Sequence, residues 1–353
     1  MRWSRVLRGR VSNGECALER IDKVVVFGGG SFGTAMAAVL ARQKAGLRVV
    51  LLLRDPYTCH SINHEHHNAR YLEGYQLPHN LAATTSMTEA ITGAQYAVHA
   101  LPVQQTRTFL TGIKDVLPPD VPLISVSKGL ELGTGKMMSE IIPAALGRKH
   151  PAVFLSGPSF AREVMDLRPT GIVAASKDLR LAKEVQQLFA SPTMRVNTTS
   201  DVIGVELCGS LKNVLAIAAG IVEGLDLGHN AMAALVTQGC SEIRWLAEKA
   251  GANSATISGL SGLGDIMLTC YGSLSRNRAV GVKLGQGASL EDILKSSKQV
   301  AEGVPTAGVV VGLGRKYKVS LPVLTAVAQV LNSSLRADQA VAEIMNFPQI
   351  EER

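Results

Sequence analysis

The feature that most constrains the fold is a glycine-rich turn directly after a short apolar run. Residues 24–27 are rich in β-branched side chains and precede Gly28, Gly30 and Gly33 in a G-x-G-x-x-G spacing. In this pattern the first glycine allows a tight turn, the second lets a pyrophosphate approach the backbone, and the third lets a helix pack closely on the strand. The helix that follows would offer unpaired N–H groups to phosphate. This order predicts a dinucleotide-binding unit, against the alternative of an ordinary glycine-rich turn.

The rest of the chain divides into an alternating part and a helical part. Up to about residue 198, apolar runs of strand length are separated by helical stretches, which is the signature of a doubly wound parallel sheet. Beyond that point the apolar residues recur at helical spacing. We therefore predict an α/β fold, in which a Rossmann-type parallel-sheet domain is followed by an all-α substrate domain. The expected boundaries are 1–22 for a leader, 23–198 for the dinucleotide-binding domain and 199–353 for the helical domain.

The individual elements follow from the same patterns. The expected strands are residues 24–27, 48–53, 96–101, 123–126, 153–155, 171–174 and 194–197. The helices of the second part are expected to begin behind an N-cap at Ser200–Asp201. They are residues 201–225, 231–250, 276–284, 290–297, 306–317, 322–332 and 337–345. Residues 259–264 are expected to form a loop between helices.

Composition and charge argue against several classes of protein. Aromatic residues make up only 4%, too few for a surface on which nucleic-acid bases stack. The net charge is +7; the arginines of residues 2–10 carry part of it, and the rest is spread along the chain. Charge alone would allow nucleic-acid binding, but no motif for it is present, and a small anionic substrate fits the charge as well. The longest stretch without Asp, Glu, Lys or Arg, residues 24–41, has 18 residues and is interrupted by glycines. A spanning helix needs roughly 20 apolar residues, so we predict no membrane span.

Cysteine and histidine spacing indicates no metal or disulfide framework. The five cysteines are odd in number and contain no C-x-x-C pair, so a reducing compartment is the simple interpretation. Cys59 lies close in sequence to His60, His64, His66 and His67, but this spacing matches no standard zinc pattern. We therefore predict no metal site.

Two charged residues are isolated in long uncharged segments. Lys212 is the only charged residue of segment 207–222, and Asp265 is the only one of segment 250–275. A desolvated lysine has a lowered pKa and can exchange protons near neutrality, as carbonyl reduction requires. On local pattern alone, Lys212 could instead be a lysine that extends from the edge of a core helix to solvent. Asp265 could be the partner of Lys212 or the N-cap of the helix that follows it.

Arg54 and Asp55, at the end of the second strand, leave the choice of cofactor open. An acid at this point holds the ribose 2′-OH of NAD, and an arginine can meet the 2′-phosphate of NADP. Arg54 takes the strand end and Asp55 follows it, so either dinucleotide is compatible with the sequence. Arg54 could also be a solvated strand end.

Further cations lie where a phosphorylated ligand could reach them. Lys128 follows a predicted strand, at the sheet edge where doubly wound folds bind ligands. Segment 275–278 reads SRNR, and its arginines could hold a phosphate with bidentate hydrogen bonds. Taken alone, that segment is as well explained by a solvated helix start.

Together these segments resemble the NAD(P)-dependent glycerol-3-phosphate dehydrogenase family, and the resemblance runs from about residue 23 to residue 345. It is carried by residues 28–35 (GGGSFGTA), 127–131 (SKGLE), 156–161 (SGPSFA), 206–220 (ELCGSLKNVLAIAAG), 259–270 (GLSGLGDIMLTC), 275–278 (SRNR) and 300–303 (VAEG). These strings are most similar to the bacterial type of enzyme. Residues 240–247 (CSEIRWLA) and 346–352 (NFPQIEE) are more similar to its plant plastid branch.

The resemblance implies roles for individual residues. Lys212 corresponds to the family's proton-transferring lysine, with Asp265 and Lys128 beside it in the catalytic set. The implied substrate-binding residues are Lys128, Gly157, Ser159, Asp265, Ser275, Arg276 and Asn277. The implied cofactor-binding residues are Gly28, Gly29, Gly30, Ser31, Phe32, Gly33, Arg54, Lys128, Ala161, Arg276, Val300 and Glu302. The implied reaction interconverts sn-glycerol 3-phosphate and dihydroxyacetone phosphate with NAD or NADP, in a homodimer that supplies glycerol 3-phosphate for glycerolipid synthesis.

Two other functions and two locations stay open. A dehydrogenase of the same architecture could act on a non-phosphorylated hydroxy acid, although the SRNR segment counts against this. A non-catalytic NAD(P)-binding redox sensor is the second rival, and the isolated Lys212 and Asp265 count against it. The plastid-like strings and the arginines of residues 2–10 favour a plastid stroma. Three acidic residues within positions 15–22 do not fit a targeting segment, so a cytoplasmic enzyme with a frayed start is the alternative.

Overall fold

The computed structural model describes residues 21–296 and 301–346, and its first part is built on an eight-stranded sheet. The strands are β1 (Lys23–Phe27), β2 (Arg48–Leu52), β5 (Leu81–Thr84), β6 (Tyr96–His99), β7 (Leu123–Ser125), β8 (Ala152–Ser156), β9 (Thr170–Ala175) and β10 (Met194–Thr199). Their order across the sheet is β10-β9-β8-β7-β6-β1-β2-β5. The chain therefore leaves β1 towards β2 and returns on its other side at β6. Such a reversal opens a ligand crevice at the carboxyl ends of the two strands.

Helices cover both faces of this sheet. They are α1 (Ser31–Gln43), α2 (Pro56–Glu65), α3 (Met87–Ile91), α4 (Val103–Ile113), α5 (Met138–Leu146), α6 (Ala161–Met165) and α7 (Leu179–Phe189). Successive side chains of β1 enter different apolar clusters: Val24 and Val26 pack with α1, whereas Val25 and Phe27 pack with α4 and α5. Burial on both faces explains why these strands read as continuous apolar runs. The predicted doubly wound α/β class is confirmed.

The direction of the last two strands corrects one detail of that prediction. β8 pairs with β9 in antiparallel register, and β10 pairs with β9 in parallel register, so both run against the other six strands. The connection from β8 to β9 holds only 13 residues, 157–169, and its helix α6 has five. A parallel crossover usually carries a helix that returns along the length of the sheet, and a helix of five residues spans only about 8 Å. The short connection turns the chain back instead.

Three strands were missed because their residues lack a strand pattern. β5 has the sequence LAAT at the sheet edge, and its alanines give little β propensity. β3 (His67–Asn68) and β4 (Leu72–Gln76) form a separate antiparallel hairpin that is mostly polar. This hairpin follows α2, and its residues are hydrogen-bonded to the glycine-rich turn.

The second part of the described chain contains helices and no strand after Thr199. Its helices are α8 (Val202–Gly224), α9 (Gly228–Lys249), α10 (Ser254–Ile257), α11 (Asp265–Tyr271), α12 (Arg276–Gly285), α13 (Leu290–Ser296), α14 (Gly303–Tyr317), α15 (Pro322–Leu331) and α16 (Ala337–Met345). The predicted N-cap is confirmed at Asp201, whose carboxylate accepts the Gly204 N–H. The prediction of a loop at 259–264 is wrong, because Leu260–Gly264 is a π-helical turn that runs directly into α11. Such turns are frequent at functional sites.

Almost every residue of α8 is buried, and the other helices pack around it. Its closest neighbour is α12, at a crossing made of glycines. A Cβ on Gly220 would lie 2.1 Å from the Arg278 carbonyl oxygen, and one on Gly281 would lie 2.0 Å from that of Ile217. Only glycine permits this approach, which places the start of α12 beside the middle of α8. Lys212 lies in the middle of α8, and Arg276 is the first residue of α12.

Length and hydropathy alone would allow one described helix, Val202–Gly224, to cross a membrane, and 89% of its most apolar window is buried inside the protein. This helix was not singled out from sequence, because the glycine-interrupted segment 24–41 is the longer charge-free run. The absence of a membrane span therefore stays a prediction.

The start of the described chain, its cysteines and its possible metal ligands can each be compared with the sequence predictions. Ile21, which we assigned to the leader, is 5% exposed and belongs to the core, so packing begins before Lys23. Cys59, Cys208, Cys240 and Cys270 are free thiols. Within residues 21–296 and 301–346, no group of three or more His, Cys, Asp or Glu side chains is arranged to hold a metal ion. The proposed boundaries of the leader and of the two domains remain predictions.

Candidate active site

The glycine-rich turn lies in the crevice between β1 and β6. Gly28 has φ +110°, and a Cβ there would lie 2.7 Å from the Ala100 carbonyl oxygen at the end of β6. A Cβ on Gly33 would lie 2.1 Å from the Gly28 oxygen, whereas one on Gly30 would meet no atom within 4 Å. The space beside Gly30 adjoins the N-terminus of α1, where Gly30 provides no side-chain cap. An uncapped helix start facing open space fits the pyrophosphate of a dinucleotide.

The other residues of this turn have different surroundings. Gly29 packs on Leu53, and its carbonyl oxygen accepts a hydrogen bond from the buried Asn68 amide. The Ser31 hydroxyl donates to the Tyr71 carbonyl oxygen at 2.9 Å, and Phe32 packs against the apolar core. The loop between β3 and β4 is thus fastened to the turn.

A buried charge cluster lies at the carboxyl ends of β7 and β8, on the sheet edge that also carries the glycine-rich turn. The Lys212 ammonium donates to Asp265 Oδ1 at 2.5 Å, and the Lys128 ammonium donates to Asp265 Oδ2 at 2.7 Å. Lys212 also donates to the Thr269 hydroxyl at 2.8 Å, and that hydroxyl donates to the Asp265 carbonyl oxygen. The Asp265 side chain is 1% exposed and that of Lys212 is 7% exposed. Of the two alternatives left open for Asp265, the structure shows the partnership with Lys212.

The chemistry of the cluster depends on how burial shifts its protonation. Desolvation lowers the pKa of Lys212 to about 8, and this outweighs the attraction of the Asp265 carboxylate, which raises it. Burial alone would raise the pKa of Asp265, but the ammonium groups of Lys128 and Lys212 bring the pKa below its usual value. The carboxylate therefore stays ionised while Lys212 can exchange a proton near neutral pH.

Lys128 connects this cluster to the loop after β8. Its ammonium donates to the Gly157 carbonyl oxygen at 3.2 Å, and the Ser159 hydroxyl donates to the same oxygen at 3.0 Å. Gly157 has φ +143°, and a Cβ there would lie 2.8 Å from the Gly171 carbonyl oxygen, so this turn requires glycine. Lys128, Gly157 and Ser159, three of the predicted substrate-binding residues, are thus brought together around Asp265.

Of the polar residues at the start of α12, some are bonded within the protein and one is exposed to solvent. The Ser275 hydroxyl caps the helix by accepting the Arg278 N–H. The Asn277 amide donates to Asn213 Oδ1 at 2.9 Å and accepts the Gly303 N–H at 2.9 Å. Ser275 and Asn277 are therefore buried and bonded within the protein, although they were predicted to bind substrate. Arg276 differs, because its side chain is accessible to solvent.

Arg276 and Glu302 influence each other electrostatically, and Glu302 lies near the turn that carries Lys128. Surrounding protein desolvates the Arg276 guanidinium and lowers its pKa, although the side chain keeps solvent access, and Glu302 acts in the opposite direction. Burial raises the pKa of Glu302 to about 7. A Cβ on Gly129 would lie 3.6 Å from Glu302 Oε2, so Glu302 packs on the turn that carries Lys128. The predicted contact Val300 lies outside the described residues, and Ala161 begins α6 behind the 157–160 loop.

Sequence reasoning missed Thr269 and Asn213. Thr269 lies four residues after Asp265 on α11, and residues at this spacing share a helix face, so the spacing could have identified it. Asn213 follows Lys212 in a segment of small and apolar residues, and an amide there needs a buried partner, which Asn277 provides.

Comparisons with known proteins agree with this geometry. The model described as NAD-dependent glycerol-3-phosphate dehydrogenase N-terminus matches residues 23–182, and that for the C-terminus of the same enzyme matches residues 201–342. The chain is 60% identical over 353 residues to glycerol-3-phosphate dehydrogenase [NAD(+)] 2, chloroplastic, of Arabidopsis thaliana, covering 100% of this chain and 84% of that protein. It is 46% identical to glycerol-3-phosphate dehydrogenase [NAD(P)+] of Geobacter metallireducens, over 92% of this chain and 97% of that protein.

Comparison with solved structures points to the same enzyme. The crystal structure of glycerol-3-phosphate dehydrogenase from Coxiella burnetii superposes with a TM-score of 0.88 at 34% identity, covering 93% of this chain and 99% of that one. The sequence matches and the superposed structure indicate the same enzyme family, and the buried charge cluster is compatible with it. The chain belongs to the NAD-dependent glycerol-3-phosphate dehydrogenase family.

Proposed function

We propose that the enzyme interconverts sn-glycerol 3-phosphate and dihydroxyacetone phosphate, with NAD(P)⁺ reduced to NAD(P)H in the oxidative direction. The observation that carries this is the pair of lysines held on one buried carboxylate, Asp265, at the same edge of the sheet as a glycine-rich turn with room for a pyrophosphate. Loss of NADH absorbance on addition of dihydroxyacetone phosphate tests the proposal. A non-phosphorylated hydroxy-acid dehydrogenase would use a 2-oxo acid instead, and a redox sensor would bind NADH without consuming it.

The glycine-rich turn and the start of α1 would hold the dinucleotide, which would supply a hydride to the carbonyl carbon in the reductive direction. Lys212 would supply the proton to the carbonyl oxygen. Within the described residues, two of the three Lys212 N–H groups donate to Asp265 and Thr269, which leaves one for the substrate oxygen. Asp265 orients Lys212 and stabilises its charged form. Lys128, held by Asp265 and Gly157, adds positive charge where the carbonyl oxygen becomes negative.

Arg276 is the proposed phosphate ligand, since it keeps solvent access at the start of α12 while its neighbours Ser275 and Asn277 are bonded within the protein. We propose that Asn277 positions Arg276 by tying α12 to Asn213. Gly157 and Ser159 would contact the substrate from the loop after β8. The Gly157 carbonyl oxygen of this loop accepts hydrogen bonds from both Lys128 and Ser159.

Replacing Arg276 with alanine is expected to raise the KM for dihydroxyacetone phosphate by roughly 10- to 150-fold, the equivalent of one charge-assisted hydrogen bond. The loss in kcat should be smaller, because the phosphate is bound equally in ground and transition states. Steady-state kinetics with NADH measure both constants.

Arg278→Ala is the matched control, because it removes the same charge two residues further along α12. The Arg278 guanidinium is already paired with the Glu223 carboxylate at 2.6 Å. An unchanged KM in the Arg276 variant would place the phosphate elsewhere, with Lys128 as the next candidate.

We also propose a homodimer, in keeping with the family resemblance. Met267 and Tyr271 lie four residues apart on the outer face of α11 and are 53% and 50% exposed. Leu263, four residues before Met267, and Leu274, three residues after Tyr271, are also more than 40% exposed. Large exposed apolar groups on one surface are typical of protein interfaces. Sedimentation equilibrium of the purified enzyme at micromolar concentration measures the oligomeric state directly.

We propose the plastid stroma as the location, where the product would serve glycerolipid synthesis. Support comes from the Arabidopsis relative named chloroplastic and from the arginines of residues 2–10. A fluorescent protein carrying residues 1–40 is expected to enter plastids, and a chain starting at Ile21 is expected to fold and keep full activity. A diffuse cytosolic signal would contradict the plastid proposal and favour the cytoplasmic alternative.

A further inference from the structure

We propose that Arg70 acts with Arg54 in binding the adenosine 2′-phosphate when NADP occupies the cofactor site, so that Arg70 helps to determine how tightly NADP binds relative to NAD. The inference rests on the proposed use of a nicotinamide dinucleotide, and it assigns Arg70 a role that sequence reasoning did not give it. Four observations at the carboxyl end of β2 support it.

The first observation is that Asp55 is already engaged. An acid at the end of this strand favours NAD when its carboxylate accepts the ribose 2′-OH. Here Asp55 Oδ1 accepts the Tyr57 N–H at 3.2 Å, and Oδ2 accepts the Thr58 hydroxyl at 2.6 Å. Asp55 is thus the N-cap of α2. Its carboxylate stabilises the start of α2 and is therefore poorly available to accept a hydrogen bond from the ribose 2′-OH.

The second observation is that Asp55 also holds Arg70, because the Arg70 guanidinium donates to Asp55 Oδ2 at 3.4 Å. Arg70 lies 15 residues further along the chain, and the guanidinium carbon is 5.3 Å from the centre of the Tyr71 ring. A carboxylate and an aromatic ring thus both orient the guanidinium, and the group remains 61% exposed. Arg70 is therefore oriented next to the strand end and accessible to a ligand.

The third observation is that the backbone around Arg70 is fastened to the glycine-rich turn. The buried Asn68 amide donates to the Gly29 carbonyl oxygen and to the Thr34 hydroxyl, both at 2.9 Å. The Ser31 hydroxyl donates to the carbonyl oxygen of Tyr71. The residues on both sides of Arg70 are thus bonded to the element that would hold the pyrophosphate, so the loop between β3 and β4 forms a second wall of the cofactor site.

The fourth observation is the balance of charge. Arg54, exposed at the end of β2, and Arg70 carry two positive charges around the single carboxylate of Asp55. This leaves a local excess of one positive charge at the place where the adenosine ribose of a bound dinucleotide would lie. A 2′-phosphate brings charge and oxygen acceptors that two guanidinium groups can share, whereas a 2′-hydroxyl gains little from them.

The test compares two ligands that differ only in the 2′-phosphate. Calorimetric titration of the full chain with 2′-phospho-ADP-ribose and with ADP-ribose needs no turnover. Arg70→Ala and Arg54→Ala are each expected to weaken 2′-phospho-ADP-ribose roughly tenfold or more, and ADP-ribose less than about threefold. Arg70→Lys should restore part of the loss, since it keeps the charge without the bidentate geometry.

Two further variants make the result specific. Arg48→Ala removes the same charge from the opposite end of β2, where the side chain faces Glu89 at 4.0 Å, and should change neither affinity. Asn68→Ala should weaken both ligands alike, because the turn it supports holds the part that they share. Equal weakening of both ligands in the Arg70 and Arg54 variants would overturn the proposal, as would a wild-type enzyme that fails to bind 2′-phospho-ADP-ribose. Selective binding without turnover of dihydroxyacetone phosphate would instead contradict only the proposed function.

Discussion

Replacing Lys212 with alanine is expected to lower kcat for dihydroxyacetone phosphate reduction by roughly 10²- to 10⁴-fold, the usual contribution of a general acid. Lys212 is the buried proton donor of the proposed mechanism, and its ammonium is fixed by Asp265 and Thr269. Binding of NADH should survive, because the glycine-rich turn and the loop after β3 are formed by other parts of the chain. Stopped-flow measurement of NADH consumption and fluorescence titration of NADH binding separate the two effects.

Lys212→Met is the companion variant, since it keeps most of the length of the side chain and removes the ammonium group with its charge and protons. Both variants should be equally slow if proton transfer is the role of Lys212. If the methionine variant keeps a kcat near that of the wild type, Lys212 is a structural lysine and the proposed mechanism is wrong.

The pH dependence of the wild type follows from the same residue. Reduction needs Lys212 protonated, and its pKa is lowered by burial to about 8. The kcat for reduction should therefore fall as pH rises through about 8, and the kcat for glycerol 3-phosphate oxidation should rise through the same range. Profiles that are flat between pH 7 and 9 in both directions would exclude Lys212 as the titrating group.

Local patterns predicted the central architecture because the relevant physical constraints are local. The run before Gly28 is apolar on both faces, and the glycine spacing requires a strand, a tight turn and a helix in succession. The direction of β9 and β10 could not be read in this way. It depends on how long a helix the connection between β8 and β9 contains, and the strand sequences themselves are compatible with either direction.

The site was predictable where one residue contrasts with its surroundings. Lys212 and Asp265 stand out because a lone charge in an apolar segment needs a partner, and the structure brings the two together. Arg70 gave no such signal, since it is one of several cations in a polar segment. Its position depends on Asn68, which fastens the loop to a turn 39 residues earlier in the chain. Contacts over such distances arise from folding and leave no spacing pattern in the sequence.

Removal of the Asp265 carboxylate is expected to destabilise the fold strongly. It is 1% exposed and neutralises two ammonium groups, at 2.5 Å and 2.7 Å. Asp265→Asn keeps the shape of the side chain and leaves Lys128 and Lys212 without a counter-charge. Removal of one partner from a buried ion pair costs about 3–5 kcal/mol, because the remaining charge stays desolvated. We expect a loss of this size in the free energy of unfolding by urea at pH 7, together with loss of turnover.

The pH dependence of this loss identifies its cause. The pKa of Asp265 is lower in the folded chain than its ordinary value, so the carboxylate stabilises the fold above that ordinary pKa and loses this contribution as pH falls through the folded pKa. The difference between wild type and Asp265→Asn should therefore be full at pH 7 and shrink in acid. Asp338→Asn is the matched control, because it removes an aspartate paired with Arg336 on the surface and should change stability little. A buried variant no less stable than this surface control would mean that water or a movement of Lys128 relieves the unpaired lysines, and Asp265 would then be needed for catalysis alone.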